Sequence, residues 1–135
     1  MANIKMPTAK KVGNKYEKVI MKKGDIYYAN LVSACPGETC VQFGKRPVVL
    51  FCNESALKYS PVVTVLPITS KKKNFPNHVF IDQDSLSEGH IKNSFVLAEQ
   101  IRTIDKSALL GRIGRLNDKT LNKVDRIVRD QLAIV

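Results

Sequence analysis

The chain has no tryptophan, and only five phenylalanines and four tyrosines among its 135 residues. An RNA-binding module without chemistry would stack bases on an aromatic platform. Tyr27, Tyr28 and Phe51 instead stand in apolar runs where a core would use them. Cysteine is also scarce. Three cysteines, an odd number, in a chain whose first residues lack the apolar run of a signal peptide, argue for reduced thiols rather than a disulfide framework. A closed zinc site wants four Cys or His ligands, and here three Cys and two His are spread along the chain, with Cys35 and Cys40 separated by four residues. That spacing also fails the C-x-x-C pattern of a redox pair. No metal and no cofactor is expected. No apolar run approaches the roughly 20 residues of a membrane span, so the expectation is a cytoplasmic protein with no membrane partner.

Acidic residues are few as well. Against 22 Lys and Arg there are 12 Asp and Glu, a formal net charge of +10. Such an excess suits a polyanion partner, but its distribution weakens the inference. Residues 1–23 hold seven lysines and the single acid Glu17, so +6 of the excess sits in a leader. Either a solvated arm or an RNA-guiding arm fits that composition. Residues 1–22 show no amphipathic period and are read as a basic N-terminal extension to one domain, 23–135.

After Gly24 the sequence turns to short β-branched runs. DIYYANL (25–31), RPVVLFCN (46–53), PVVTVLPIT (61–69), HVFI (78–81) and SFVLAEQIR (94–102) read as strands, joined by a Gly/Pro-containing loop, the polar connection ESALKYS, the turn KKKNFP and the acidic DQDSLSEGH. Strands so close in sequence favour an antiparallel sheet, which predicts a mainly β, α+β fold: a small SH3-like barrel with a C-terminal α-helix. Asp105 is placed to cap a short helical turn at KSALL, and GRIGRL (111–116) reads as a last edge strand. Asn117 reads as the N-cap of a helix over 118–132, whose Leu121, Val124, Ile127, Val128 and Leu132 form an apolar stripe for the barrel.

The stretch CPGETCVQFGKRPVV (35–49) resembles a phosphate loop only superficially. Such a loop needs G-x-x-x-x-G-K-[ST] before a helix, whereas six residues separate Gly37 from Gly44, and Lys45 precedes Arg46, Pro47 and a strand. Arg46 is then the residue of interest. Pro47 restricts it to extended geometry, which holds a permanently charged fork at a strand start. A phosphate contact and a surface salt bridge both fit that placement.

GDIYYANL, GKRPVVLFCN, YSPVVTVLPIT and EQIRTID together resemble the MazF/PemK/Kid family of toxin endoribonucleases. Gly24–Tyr27 matches the family's G-D-[IV]-[YW] strand, Gly44–Val48 its G-x-R-P-V, Glu99–Asp105 its E-Q-[IV]-R segment, and residues 118–132 its terminal helix. The resemblance spans about residues 22–133. It implies a PemK-like barrel and a metal-independent endoribonuclease that cuts single-stranded RNA at short specific sequences. The 2′-hydroxyl of the preceding ribose would attack the phosphate, leaving a 2′,3′-cyclic phosphate and a 5′-hydroxyl. Arg46 and Thr69 occupy the family's catalytic positions, Arg46 suited to phosphorane charge and Thr69 to a hydrogen bond on a non-bridging oxygen.

Further contacts to RNA fall, by position in the resembled family, on Glu38, Lys45, Asn53, Ser60 and Gln100. Lys71, Lys72 and Lys73 follow Thr69 and suit either phosphates or a solvated turn. His78 matches a family histidine that is either an acid or base or a structural group, and His90 is assigned nothing. The loop over 32–45 borders the groove and shapes sequence choice. The resemblance further implies a homodimer with grooves along its interface and a cognate acidic antitoxin that competes with RNA. The rival reading is a CcdB-like gyrase poison of the same fold, which would need no Arg46–Thr69 pair.

Overall fold

A computed structural model of the chain describes residues 10–12, 15–17, 20–32, 42–71 and 76–134. In chain order its elements are β1 (Lys10–Val12), β2 (Lys15–Glu17), β3 (Asp25–Leu31), β4 (Gly44–Leu50), α1 (Glu54–Tyr59), β5 (Val62–Thr69), β6 (His78–Ile81), β7 (Leu86–Gly89), β8 (Ser94–Leu97), β9 (Arg102–Asp105), β10 (Leu109–Leu116) and α2 (Asp118–Gln131). β1 and β2 pair as a separate hairpin. The rest form one antiparallel sheet in the order β6-β8-β5-β4-β3-β10-β7, with β9 also paired to β5.

The eight-residue β5 explains why this sheet curls. Along one edge its first half pairs with β9, through Val62 to Val65, and its end pairs with β8, through Ile68 and Thr69. One strand thus feeds two, and the sheet closes into a half-barrel with two cores. Tyr27, Ala29, Val48, Leu50, Val63 and Val65 point into the curl, while Ile26, Val49, Leu66, Ile68, Val79 and Val96 point to the other side, under α2. The alternation of these residues along each strand is what a sheet buried on both faces requires. The expected barrel with a terminal helix is present.

Several local expectations change. ESALKYS is helical, because Asn53 Oδ1 accepts from Ala56 N at 2.8 Å and caps the turn that buries Leu57. SFVLAEQIR is two strands split by a 3-10 turn at Ala98–Gln100, since its halves pair with different parts of β5. The acidic connection contains β7, which covers β10, so β10 is an interior strand rather than an edge. Their approach is close. A Cβ on Gly114 would lie 2.3 Å from Glu88 O, and one on Gly89 2.1 Å from Ile113 O, so both positions need glycine.

Asp105 stands at the N-cap of the turn Lys106–Ala108 but makes no side-chain cap bond. Asn117 does cap α2, accepting from Thr120 N at 2.9 Å. Its buried residues are Thr120, Val124 and Val128; Leu132 lies past the helix end and is 47% exposed, outside the expected stripe. Burying each valine contributes about 1.5–3 kcal/mol, which fixes the helix to the sheet.

The start of β3 is anchored by a buried carboxylate. Asp25, with no exposed surface, accepts from Arg115 Nε at 2.6 Å and from Lys22 N at 2.9 Å, with Arg112 at 3.4 Å. Arg112 also pairs with Glu88 and holds that carboxyl below its usual range. A buried carboxylate paired this way is strongly destabilised by loss of either cation. No helix among the described residues is long and apolar enough to cross a membrane.

Candidate RNA-cleaving site

β4 and β5 pair through Val48–Pro67, Val49–Leu66 and Leu50–Val65. The ladder ends at Val48–Pro67; two residues beyond it lie Arg46 on β4 and Thr69 on β5, on the side-chain row that Val48 and Pro67 begin. Residues directly opposite in an antiparallel pair share a face. Strand alternation therefore puts two side chains 23 positions apart in the chain on one face at the same end of the sheet.

Arg46 is half-buried and its Nε donates to Phe43 O at 3.2 Å. That bond fixes the root of the guanidinium without using its two terminal nitrogens. None of the ion pairs between described residues involves Arg46, Lys45 or Lys71, whereas Lys23, Arg112 and Arg115 are paired to Asp125, Asp25 and Glu88. Arg46, Lys45 and Lys71 are thus uncommitted to described carboxylates, as are Lys58, Lys92 and Arg102. Lys45 and Lys71 are exposed beside the pair.

Thr69 is 2% exposed, and its Oγ1 accepts from Lys71 N at 3.2 Å. A hydroxyl that accepts there still has its own hydrogen to donate.

The β3–β4 connection is held at its neck. Arg102 donates from one terminal nitrogen to Val32 O at 2.9 Å and from the other to Gln42 O at 3.2 Å. Gln100 Oε1 accepts from Gln42 N at 2.7 Å. One arginine and one glutamine from a single segment thus join both ends of residues 33–41 to the site. Gln100 was expected to contact RNA; its amide oxygen is bonded to the loop's end. Arg102 and Glu99 were quoted in the motif but given no role. A functional reading of the whole E-Q-I-R run, rather than of Gln100 alone, was the available signal.

His78, 3% exposed in its side chain, places Nε2 2.7 Å from Glu99 Oε1. The second oxygen of Glu99 is buried with no hydrogen-bond partner among the described residues.

Asn53 and Ser60 stand elsewhere. Asn53 caps α1, and Ser60 Oγ accepts from Val62 N at 3.3 Å at the helix's other end. Both lie at the far ends of β4 and β5, a strand length of about 20 Å from Arg46 and Thr69. Glu38, Lys72, Lys73, Cys35 and Cys40 lie outside the described residues. Cys52 is half-buried past the end of β4 rather than inside it. Tyr27 is buried as expected, and burial pushes its hydroxyl pKa up; Tyr28, expected in the core, is 48% exposed.

Next to Arg46 a depression of about 540 Å³ is lined by apolar Tyr28, Pro47, Ile68 and Ile113 and by basic Lys45 and Lys92. Among the described residues no three His, Cys, Asp or Glu side chains gather as metal ligands.

A curled antiparallel sheet with a C-terminal helix, with Arg46 and Thr69 on one face at one end, places the chain among small basic half-barrel proteins. The profile of PemK-like, MazF-like toxins of type II toxin-antitoxin systems matches residues 22–132, and the chain belongs to that family. It is 38% identical over 119 residues to Endoribonuclease EndoA of Bacillus subtilis strain 168, covering 87% of this chain and 98% of the relative. It is 37% identical over 117 residues to Endoribonuclease MazF of Staphylococcus saprophyticus, covering 85% and 93%. In fold it is similar to the crystal structure of MazF from Deinococcus radiodurans, with TM-score 0.70 at 19% identity over 87% of this chain and 100% of that one. A MazE–MazF structure from the same organism gives 0.68 at 18% identity, with the same coverage.

Proposed function

We propose that this chain is a sequence-specific, metal-independent endoribonuclease toxin that cuts single-stranded RNA to 2′,3′-cyclic phosphate and 5′-hydroxyl ends. The observation that carries the reading is the β4–β5 register, which leaves Arg46 and Thr69 on one face just beyond the Val48–Pro67 pair, in a chain whose family relatives are named endoribonucleases. Cutting by the 2′-hydroxyl needs a proton removed, charge neutralised on the phosphorane and a proton given to the leaving oxygen. Arg46 suits the second task, with a planar fork held at its root by Phe43 O. Thr69 donates a hydrogen bond to a non-bridging oxygen. A guanidinium is a poor acid and base at neutral pH, so proton transfer falls to another group or to water.

Lys45 and Lys71 neutralise flanking phosphates, with Lys72 and Lys73 extending the charge. Gln100 and His78, with Glu38 from the β3–β4 connection, line the substrate path. Asn53 and Ser60 meet only an RNA long enough to run the length of the β4–β5 pair. Residues 1–22 act as a basic extension to the toxin domain at 23–135, and the protein works in the cytoplasm.

Regulation follows from charge. A cognate antitoxin with an acidic segment that folds on binding would block the cationic surface around Arg46. This is in keeping with the Deinococcus structure titled as MazE–MazF. The apolar lining beside Arg46, with Tyr28 half-exposed, supports a homodimer in which a second copy covers that surface and the RNA groove runs along the join.

The reading is tested by digesting a defined pool of transcripts and sequencing the new ends. One short motif should recur at every cut. Cuts without a shared motif, or an uncut pool, would reject it.

A further inference from the structure

The row of side chains that contains Thr69 continues past it. Thr69 on β5 is the direct partner of Phe95 on β8, and Phe95 is the direct partner of Phe80 on β6. Direct antiparallel partners present their side chains on one face. At about 4.8 Å per strand, Phe80 stands roughly 10 Å from Thr69 in the same row. The other face of these three strands carries Ile68, Val96 and Val79, all buried in the core under α2. Thr69, Phe95 and Phe80 therefore occupy the face opposite the helix, along which exposure rises from nearly fully buried Thr69 through half-buried Phe95 to Phe80.

Phe80 is 47% exposed. Phe95, half-buried, meets it at a ring-centroid distance of 5.5 Å with the planes at 62°, the edge-to-face arrangement that aromatic pairs prefer. An aromatic ring that is half in water contributes little to the core. Held by its neighbour, it is already ordered for a flat ligand and loses little freedom on binding one.

We infer that Phe80, braced by Phe95, is a stacking subsite for one nucleobase of the single-stranded RNA whose reacting phosphate lies at Arg46 and Thr69. The inference rests on the endoribonuclease reading given above. Continuity with Thr69 selects this occupant, because an RNA with a phosphate at Thr69 has its neighbouring bases within reach of the same row. Charge agrees, since Lys71 is exposed two residues beyond Thr69 and suits the backbone of that nucleotide. Stacking reads a π-face, which every base has, so the subsite adds affinity and position more than sequence choice.

The test uses the full chain and an oligonucleotide centred on the first mapped cleavage site, with 2′-deoxyribose at the attacking position so that it binds uncut. A matched set carries one abasic residue at each position in turn. Phe80→Ala should weaken binding of the intact oligonucleotide about 5- to 150-fold, the range of one base–aromatic stack, and Phe80→Trp should retain it. On the cleavable substrate KM should rise while kcat changes little. One abasic position should cost the wild type the same factor and cost Phe80→Ala nothing further. Phe80→Leu, which keeps an apolar side chain and the fold, should behave as Phe80→Ala in the abasic series. Equal abasic losses in wild type and Phe80→Ala at every position would overturn the subsite. So would a Phe80→Ala protein that binds RNA normally and loses only an acidic antitoxin-derived peptide. Wild-type protein that neither binds nor cuts RNA would overturn the endoribonuclease reading itself, and the subsite with it.

Discussion

In the proposed mechanism Arg46 and Thr69 divide the chemistry between a charge and a hydroxyl, and each can be removed with little change to packing. Arg46→Ala should slow cleavage by about 10²- to 10³-fold, the scale of losing one donor to developing charge, and Arg46→Lys should restore little because an ammonium lacks the planar fork. Thr69 is nearly fully buried, so Thr69→Val keeps the volume and deletes only the oxygen that accepts from Lys71 N. Cleavage should fall while the melting temperature changes by a few degrees at most. Single-turnover rates beside thermal melts of each variant make the comparison. A folded Arg46→Ala protein with near-normal rates would remove Arg46 from the mechanism.

At the scale of elements, the site depends on how the β3–β4 connection is held. Arg102 joins Val32 and Gln42 across its neck, and Gln100 holds Gln42 from the same segment. Arg102→Ala should loosen the register of this connection against Arg46. Selectivity among transcript sites should then broaden, with kcat at the preferred site reduced less than the discrimination. Arg102→Lys bridges only one carbonyl at a time and should recover part of it. Unaltered site preference in Arg102→Ala, measured by sequencing the cut ends, would show that the clasp has no part in specificity.

The elements also show what a sequence can and cannot give. DIYYANL and HVFI were legible to the residue, because their β-branched and aromatic residues, bounded by turn residues, act within the run itself. The split of SFVLAEQIR was not legible, since it arises from β8 and β9 meeting different stretches of β5. The six-residue α1 is short enough for one asparagine cap to decide it, and its composition reads as a polar connection. Arg46 and Thr69 were reachable through motifs. The row that adds Phe95 and Phe80 needs the register of three strands, which no local pattern contains, and low aromatic content pointed away from it.

At the scale of the whole molecule, Asp25 and Glu88 engage Arg112 and Arg115 at one place on the sheet, while Arg46, Lys45 and Lys71 remain without described acidic partners at another. Of the net charge of +10, +6 lies in residues 1–23, and Arg46, Lys45 and Lys71 add unpaired cations that a polyanion can meet. Solution mass should report a dimer, and an antitoxin-derived acidic peptide should displace RNA competitively. A strict monomer that still cuts RNA would contradict the dimer, and saturating co-binding of peptide and RNA would contradict the shared surface.

The central claim is that this chain breaks RNA through its own side chains and the substrate's 2′-hydroxyl. The most direct test is the chemistry of the ends left when purified protein digests a defined transcript in excess EDTA. Cleavage should persist, with a 2′,3′-cyclic phosphate on one fragment and a 5′-hydroxyl on the other, and a 2′-deoxy substitution at the cut position should abolish it. Cutting that stops in EDTA and returns with magnesium, or fragments carrying a 5′-phosphate, would contradict the account.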